Sequence, residues 1–215
     1  MNFTYKHIAL NALPLFPSLY CPPIAYFAEI AKYDAIVVEQ FETFPKQTYR
    51  NRTVILSANA KLPLIVPVVH TNGNHTMTKD IGISYAEPWN IKHWRAIESA
   101  YNSSPYFLYY KDYLNKILHA EHARLIELND LLLKFFLQRL NINTQISYSK
   151  DFTPYQSMDV TDYRDSFSPK SPYAALSFPS YSQVFDSKLP FYPNLSILDL
   201  LFNLGPDAAS YIHTI

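Results

Sequence analysis

The chain has 215 residues, 48% hydrophobic and 17% charged, so it can bury a sizeable core and is neither a disordered chain nor a charged helical rod. Eighteen Lys and Arg balance eighteen Asp and Glu, which excludes a whole-protein field steering it onto nucleic acid or an anionic membrane. One cysteine, Cys21, and only Gly73, Gly82 and Gly205 exclude a disulfide scaffold, a multi-cysteine metal cluster and a glycine-rich phosphate loop.

Residues 8–31 are mostly apolar, but Pro14, Pro17, Pro22, Pro23 and Glu29 interrupt or close the run, so an uncleaved soluble segment is expected rather than a membrane span. Ile8 to Leu10 reads as a short strand. A helix then opens at Pro22 or Pro23 with Ile24, Phe27, Ile30 and Ala31 as its apolar stripe, and Ala35 to Val38 reads as a buried strand. That order predicts a parallel βαβ-like unit. Val54 to Leu56, Leu62 to Val69 and Ile81 to Ser84 are further strand candidates.

From Asn90 the period becomes helical, with Trp94, Ile97 and Tyr101 on one face and Asn90 as the cap. Ser104 and Pro105 open the next helix, and a third spans roughly residues 121–140 on a Leu125, Leu128, Leu132, Phe135 and Leu140 stripe. Residues 141–193 are rich in Ser, Tyr and Pro without a period, the pattern of a long irregular segment that covers a site as a lid. A last helix starts at the Ser196 and Asp199 capping spacing and stops at Gly205. The expected class is α/β or α+β: a mixed sheet with the N-terminal βαβ-like unit, a helical middle and one domain over residues 1–215.

Tyr20 to Phe27, Glu39-Gln40, Lys46 to Arg52, His93, Tyr101 to Pro105 and Asn194 to Asn203 stand in the order seen in the WbqC-like protein family. The Pro-Pro-Ile and Gln-Thr-Tyr-Arg-Asn-Arg version resembles its Bacteroidetes branch. The resemblance implies a place among enzymes of O-antigen and other surface polysaccharides, and acyl or aminoacyl transfer to a nucleotide-linked amino sugar. A noncatalytic nucleotide-sugar-binding accessory protein is the alternative. Two positions depart from the family pattern: Phe41 stands where a polar group is expected, and Ala60 where a glycine is.

If Lys46 to Arg52 is extended, alternation sets Lys46, Thr48, Arg50 and Arg52 on one face, with Arg50 and Arg52 about 6.6 Å apart, a spacing that suits a phosphate or carboxylate. The other reading is a cation-defended sheet edge. In the functional scheme Arg50 and Arg52 hold the phosphates of a small anionic ligand, joined by Lys46 only if the chain curves back, while Tyr26, Gln40 and Asn51 orient its polar groups. Glu39, at the end of a parallel strand, serves as general base or pairs with Arg50. His93 serves as acid or base, or as a boundary histidine bonded to a carbonyl. Neither a cofactor nor a metal site is specified: His119 and His122 lack a third ligand. Cys21 reads as a buried inert thiol, and the aromatics from Tyr106 to Tyr113 are able to stack on sugars but default to packing. A cytoplasmic protein without nucleic-acid partner or membrane insertion is expected.

Overall fold

The computed structural model describes residues 13–154, 160–170, 173 and 176–215. The strand expected at Ile8 to Leu10 lies outside them. The first described strand is β1 (Leu15–Pro17), followed by α1 (Ile24–Ile30) and β2 (Ala35–Glu39). β1 and β2 run parallel with Leu15 opposite Val37, and β7 (Gln145–Tyr148) joins β2 on its other side, also parallel, with Ala35 opposite Gln145. A parallel βαβ unit is present, with Leu15–Pro17, beyond the expected Ile8 to Leu10, as its first described strand, and it belongs to a three-stranded sheet of order β1-β2-β7.

β3 (Arg52–Leu56) and β4 (Lys61–Ile65) form an antiparallel hairpin, and β5 (Val68–Val69) pairs antiparallel with β6 (Gly82–Ile83). Three helices follow: α2 (Trp89–Tyr101), α3 (Phe107–His119) and α4 (Leu125–Arg139). α5 (Ile197–Leu204) and α6 (Asp207–Ile212) close the chain. The fold is thus a mixture of helices with small parallel and antiparallel sheets, of the α/β or α+β class. α6 was not expected, because six residues give too little period to see.

All of α1 is buried, which its apolar sequence requires, and its one carboxylate, Glu29, is neutralised by Lys32 at 2.8 Å. Phe27 meets Phe136 of α4 edge-on at 5.8 Å. Gly205 ends α5 at φ +56, and a Cβ there would lie 2.4 Å from the Tyr106 ring, so only glycine fits. The N-terminal cap of α2 is Pro88, not Asn90, and that of α3 is Tyr106, one turn residue beyond Ser104 and Pro105.

The long segment after α4 is packed down by side chains. Tyr163 and Tyr173 donate to Glu29 of α1, each at 3.0 Å, and Tyr181 donates to Asp199 of α5 at 2.6 Å. Asp199 therefore does not close a capping box with Ser196. It also accepts from Tyr101 at 3.1 Å and Gln183 at 2.8 Å, while burial pushes its carboxyl up against these three donors. The Ser196 hydroxyl alone caps α5, accepting from Leu198 N–H.

Candidate active site at the carboxyl edge of the parallel sheet

Parallel strands deliver the residues after their carboxyl ends to a common edge, and here β1, β2 and β7 deliver Ser18, Glu39 with Gln40, and Ser149. Glu39 is fully buried. Its Oε1 accepts from Gln40 N–H at 2.9 Å, Phe41 N–H at 2.6 Å and the Ser149 hydroxyl at 2.9 Å, and its Oε2 lies 3.5 Å from Arg164 Nη1. Gln40 in turn donates its side-chain amide to the Ser149 carbonyl at 2.7 Å.

Arg164 is the centre of this network and is itself wholly buried. It grips Asp162 through Nε at 3.0 Å and Nη2 at 2.5 Å, donates Nη1 to the Thr153 carbonyl at 2.7 Å, and covers the Phe152 ring. The Asp162 carboxyl is raised by burial, but the hydrogen bonds and charge of Arg164, with the charge of Arg50, outweigh that and hold it below the ordinary carboxylate range.

Arg50, 1% exposed, forms a two-pronged pair with Glu42, Nε to Oε1 at 2.5 Å and Nη2 to Oε2 at 2.7 Å, and donates to the Arg164 carbonyl at 3.1 Å. The expected Glu39 to Arg50 pair is thus replaced by two pairs, Glu39 with Arg164 and Glu42 with Arg50. Tyr26 lies close enough for the Arg50 charge to offset part of the upward push that burial gives its hydroxyl, which donates to the Pro17 carbonyl at 2.8 Å. Asn129 of α4 ties the Arg50 carbonyl, at 2.9 Å, to Ser18. Its Oδ1 has no partner among the described residues and lies beside a cavity of about 10 Å³, room for one water, that Ser18, Tyr26 and Tyr148 also line.

The other expected site residues lie elsewhere. Lys46 to Asn51 is a run of turns, not a strand: Gln47 has φ +61, and the Thr48 hydroxyl takes the Arg50 N–H and gives to the Pro45 carbonyl, a local bonding that displaces a ladder. The alternation that put Arg50 beside Arg52 therefore does not exist. Arg52 opens β3 opposite Ile65, half-buried, with its Nε unpartnered among the described residues. Asn51 exchanges bonds with Val66, and Lys46 is exposed and bonded to Asn74. Phe41 lies under the Lys79 ammonium at 5.4 Å.

His93 is 5% exposed, and its Nδ1 lies in a 2.9 Å hydrogen bond with the Tyr20 hydroxyl, while the Ile65 backbone also acts on the ring. Burial pulls its pKa down to about 4, with the Ile65 bond opposing, so the imidazole is neutral at pH 7. The unfolded chain binds a proton near pH 6.5 that the folded ring refuses until about 4. Stability from this group is full above pH 6.5 and falls with pH through that window, by up to about 3 kcal/mol. A His93→Gln variant, unfolded in denaturant near pH 7 and near pH 4, should lose less on acidification than wild type by about that amount.

Cys21 is fully buried, and burial pushes its thiol up, as an inert thiol requires. His119 and His122 each give a ring N–H to a backbone carbonyl, of Asn115 and Ile117. Among the described residues no three His, Cys, Asp or Glu side chains gather as a metal site, and no helix is long and apolar enough to cross a membrane.

The family model of the WbqC-like protein family matches residues 18–166 and 166–211, a span that takes in all of this network. The chain belongs to the WbqC-like family. It is similar to an uncharacterized protein of Mycobacterium tuberculosis, Rv1507c, with 27% identity over 94% of this chain and 98% of that one. No solved structure matches. Of the members of this network, Glu39, Gln40, Arg50 and Tyr26 were candidates from the sequence, whereas Glu42, Asn129, Ser149, Asp162 and Arg164 were not. Glu42 had a signal, standing three residues after Glu39 and eight before Arg50. Arg164 had none, since it falls in a stretch without a period.

Proposed function

We propose that this WbqC-like protein is a cytoplasmic enzyme of surface-polysaccharide biosynthesis that transfers an acyl or aminoacyl group to the amine of a nucleotide-linked amino sugar. The observation that carries the reading is a cluster of two buried carboxylates, Glu39 and Glu42, and the half-buried Asp162, paired with two buried guanidiniums, Arg50 and Arg164, at the strand ends. A fold gains little stability from burying such pairs, since apolar residues of equal volume serve as well or better, and paired buried charges gather where chemistry is done.

In this reading the roof formed by residues 149–154 and 160–166 opens and Arg164 leaves Glu39. The two guanidiniums then hold the phosphates, and Glu39 takes the proton from the amine as its nitrogen bonds to the acyl carbon and the leaving group departs. His93, buried and bonded through Nδ1 to the Tyr20 hydroxyl, is left as a supporting residue. The net acidity of the cluster suits an amine-bearing substrate over a simple dianion.

The test is thermal unfolding with UDP-linked amino sugars, then mass-spectrometric assay with acyl thioester donors. A ligand at a hundred times its Kd should raise stability by about 2.7 kcal/mol, roughly 5–10 °C in Tm. Glu39→Gln should keep that shift and lose activity by about 100-fold or more. A shift without turnover in wild type would favour the accessory role, and no shift with any nucleotide sugar would sink the proposal.

A further inference from the structure

α2 and α3 enclose a groove of about 310 Å³ lined by Trp94, Asp112, Asn115, Lys116 and His119. The four α3 residues follow one another at helical intervals of three and four, so they form one continuous face. Trp94 stacks on Phe107 at 6.0 Å and meets the His119 ring at 6.4 Å edge-on, which fixes the indole as a wall of the groove.

The polar groups of this face are unspent. Asn115 Oδ1 is buried with no partner among the described residues. Asp112 and Lys116 are spaced for an i,i+4 ion pair, yet neither side chain makes a hydrogen bond or ion pair among the described residues. His119 gives its Nδ1 proton to the Asn115 carbonyl at 3.0 Å, which leaves Nε2 as an acceptor when the ring is neutral.

We infer that this groove is a saccharide subsite. It offers two exposed acceptors, Asp112 and His119 Nε2, one cationic donor, Lys116, and the Trp94 indole. A pyranose supplies what these lack: several hydroxyl donors on one rim and an apolar C–H face for the ring system. The Asp112 carboxylate disfavours a phosphate, and the Lys116 ammonium disfavours an organic cation. The subsite involves none of the residues at the parallel sheet edge, and it stands or falls separately from the proposed reaction.

The experiment uses the full ¹⁵N-labelled chain, whose two tryptophans give two indole N–H signals, that of Trp94 assigned by Trp94→Phe. Methyl glycosides of glucose, galactose, mannose and N-acetylglucosamine, none carrying a phosphate, are titrated into the millimolar range. The expected result is a saturating shift of the Trp94 signal with at least one of them, weakened about tenfold or more by Asp112→Asn and by His119→Ala. Both substitutions lie outside the core, and unchanged thermal unfolding shows the variants are intact. A flat response to all four, a shift that survives both substitutions, or a response to spermidine without any sugar response overturns the assignment.

Discussion

Arg50→Ala is expected to lower unfolding free energy by about 3–5 kcal/mol, a fall in Tm of roughly 6–20 °C for a chain of this size. The side chain is 1% exposed and its partner Glu42 is equally buried, so its removal leaves a carboxylate stranded away from water. It also empties the space beneath the Arg164 carbonyl, which now accepts from Nη2. Removing both charges with Arg50→Met and Glu42→Leu should cost far less, because no unpaired ion remains. Denaturant unfolding of the single and double variants separates the two cases. A single variant that loses under 1 kcal/mol would mean water reaches Glu42 in the folded state.

Arg164→Ala should be nearly as costly globally, about 3 kcal/mol, but with a different local signature. Arg164 binds Glu39 on β2 and Asp162 and Thr153 on its own segment, so it joins the segment to the sheet. Without it, residues 149–154 and 160–166 should detach before the rest of the molecule unfolds. Trypsin cleavage after Lys150 at native temperature is expected to accelerate at least tenfold, while the Tyr181 and Asp199 contact keeps the last helices in place. Equal resistance of variant and wild type would show that Tyr163 and Tyr173, through Glu29, suffice to hold the segment.

α2 and α4 were readable from apolar stripes at helical spacing, α1 from its stripe and its opening prolines, β2 from a continuous apolar run, and α3 and α5 from their start and stop residues. β7 was hidden: Gln145 to Tyr148 is short and half-polar, and it becomes a strand only by pairing with Ala35 to Val38, more than a hundred positions earlier. Lys46 to Arg52 misled for a related reason. Alternation is evidence for a strand only where a partner strand exists, and here Thr48 and Gln47 bend the chain first. Among residues 141–193, the described ones were unreadable because tyrosine hydroxyls and Arg164 bonding to Glu29, Asp199 and Glu39 fasten them, and no periodicity records such contacts. Glu39 was legible from its place at a strand end, whereas the identity of its cation was not.

β1 is only three residues long, and its outer side is occupied by the same segment: Leu15 N–H donates to the Thr161 carbonyl, and Tyr163 N–H donates back to Leu15, with Asp162 bridged between. An excursion that lifts residues 160–166 off the sheet, as the proposed reaction requires, strips backbone partners from β1 and leaves a raw margin that another molecule is able to zip onto. Under that proposal, admitting substrate and risking self-adhesion become the same event, so crowding should penalise prolonged opening and reward a protein that shuts quickly.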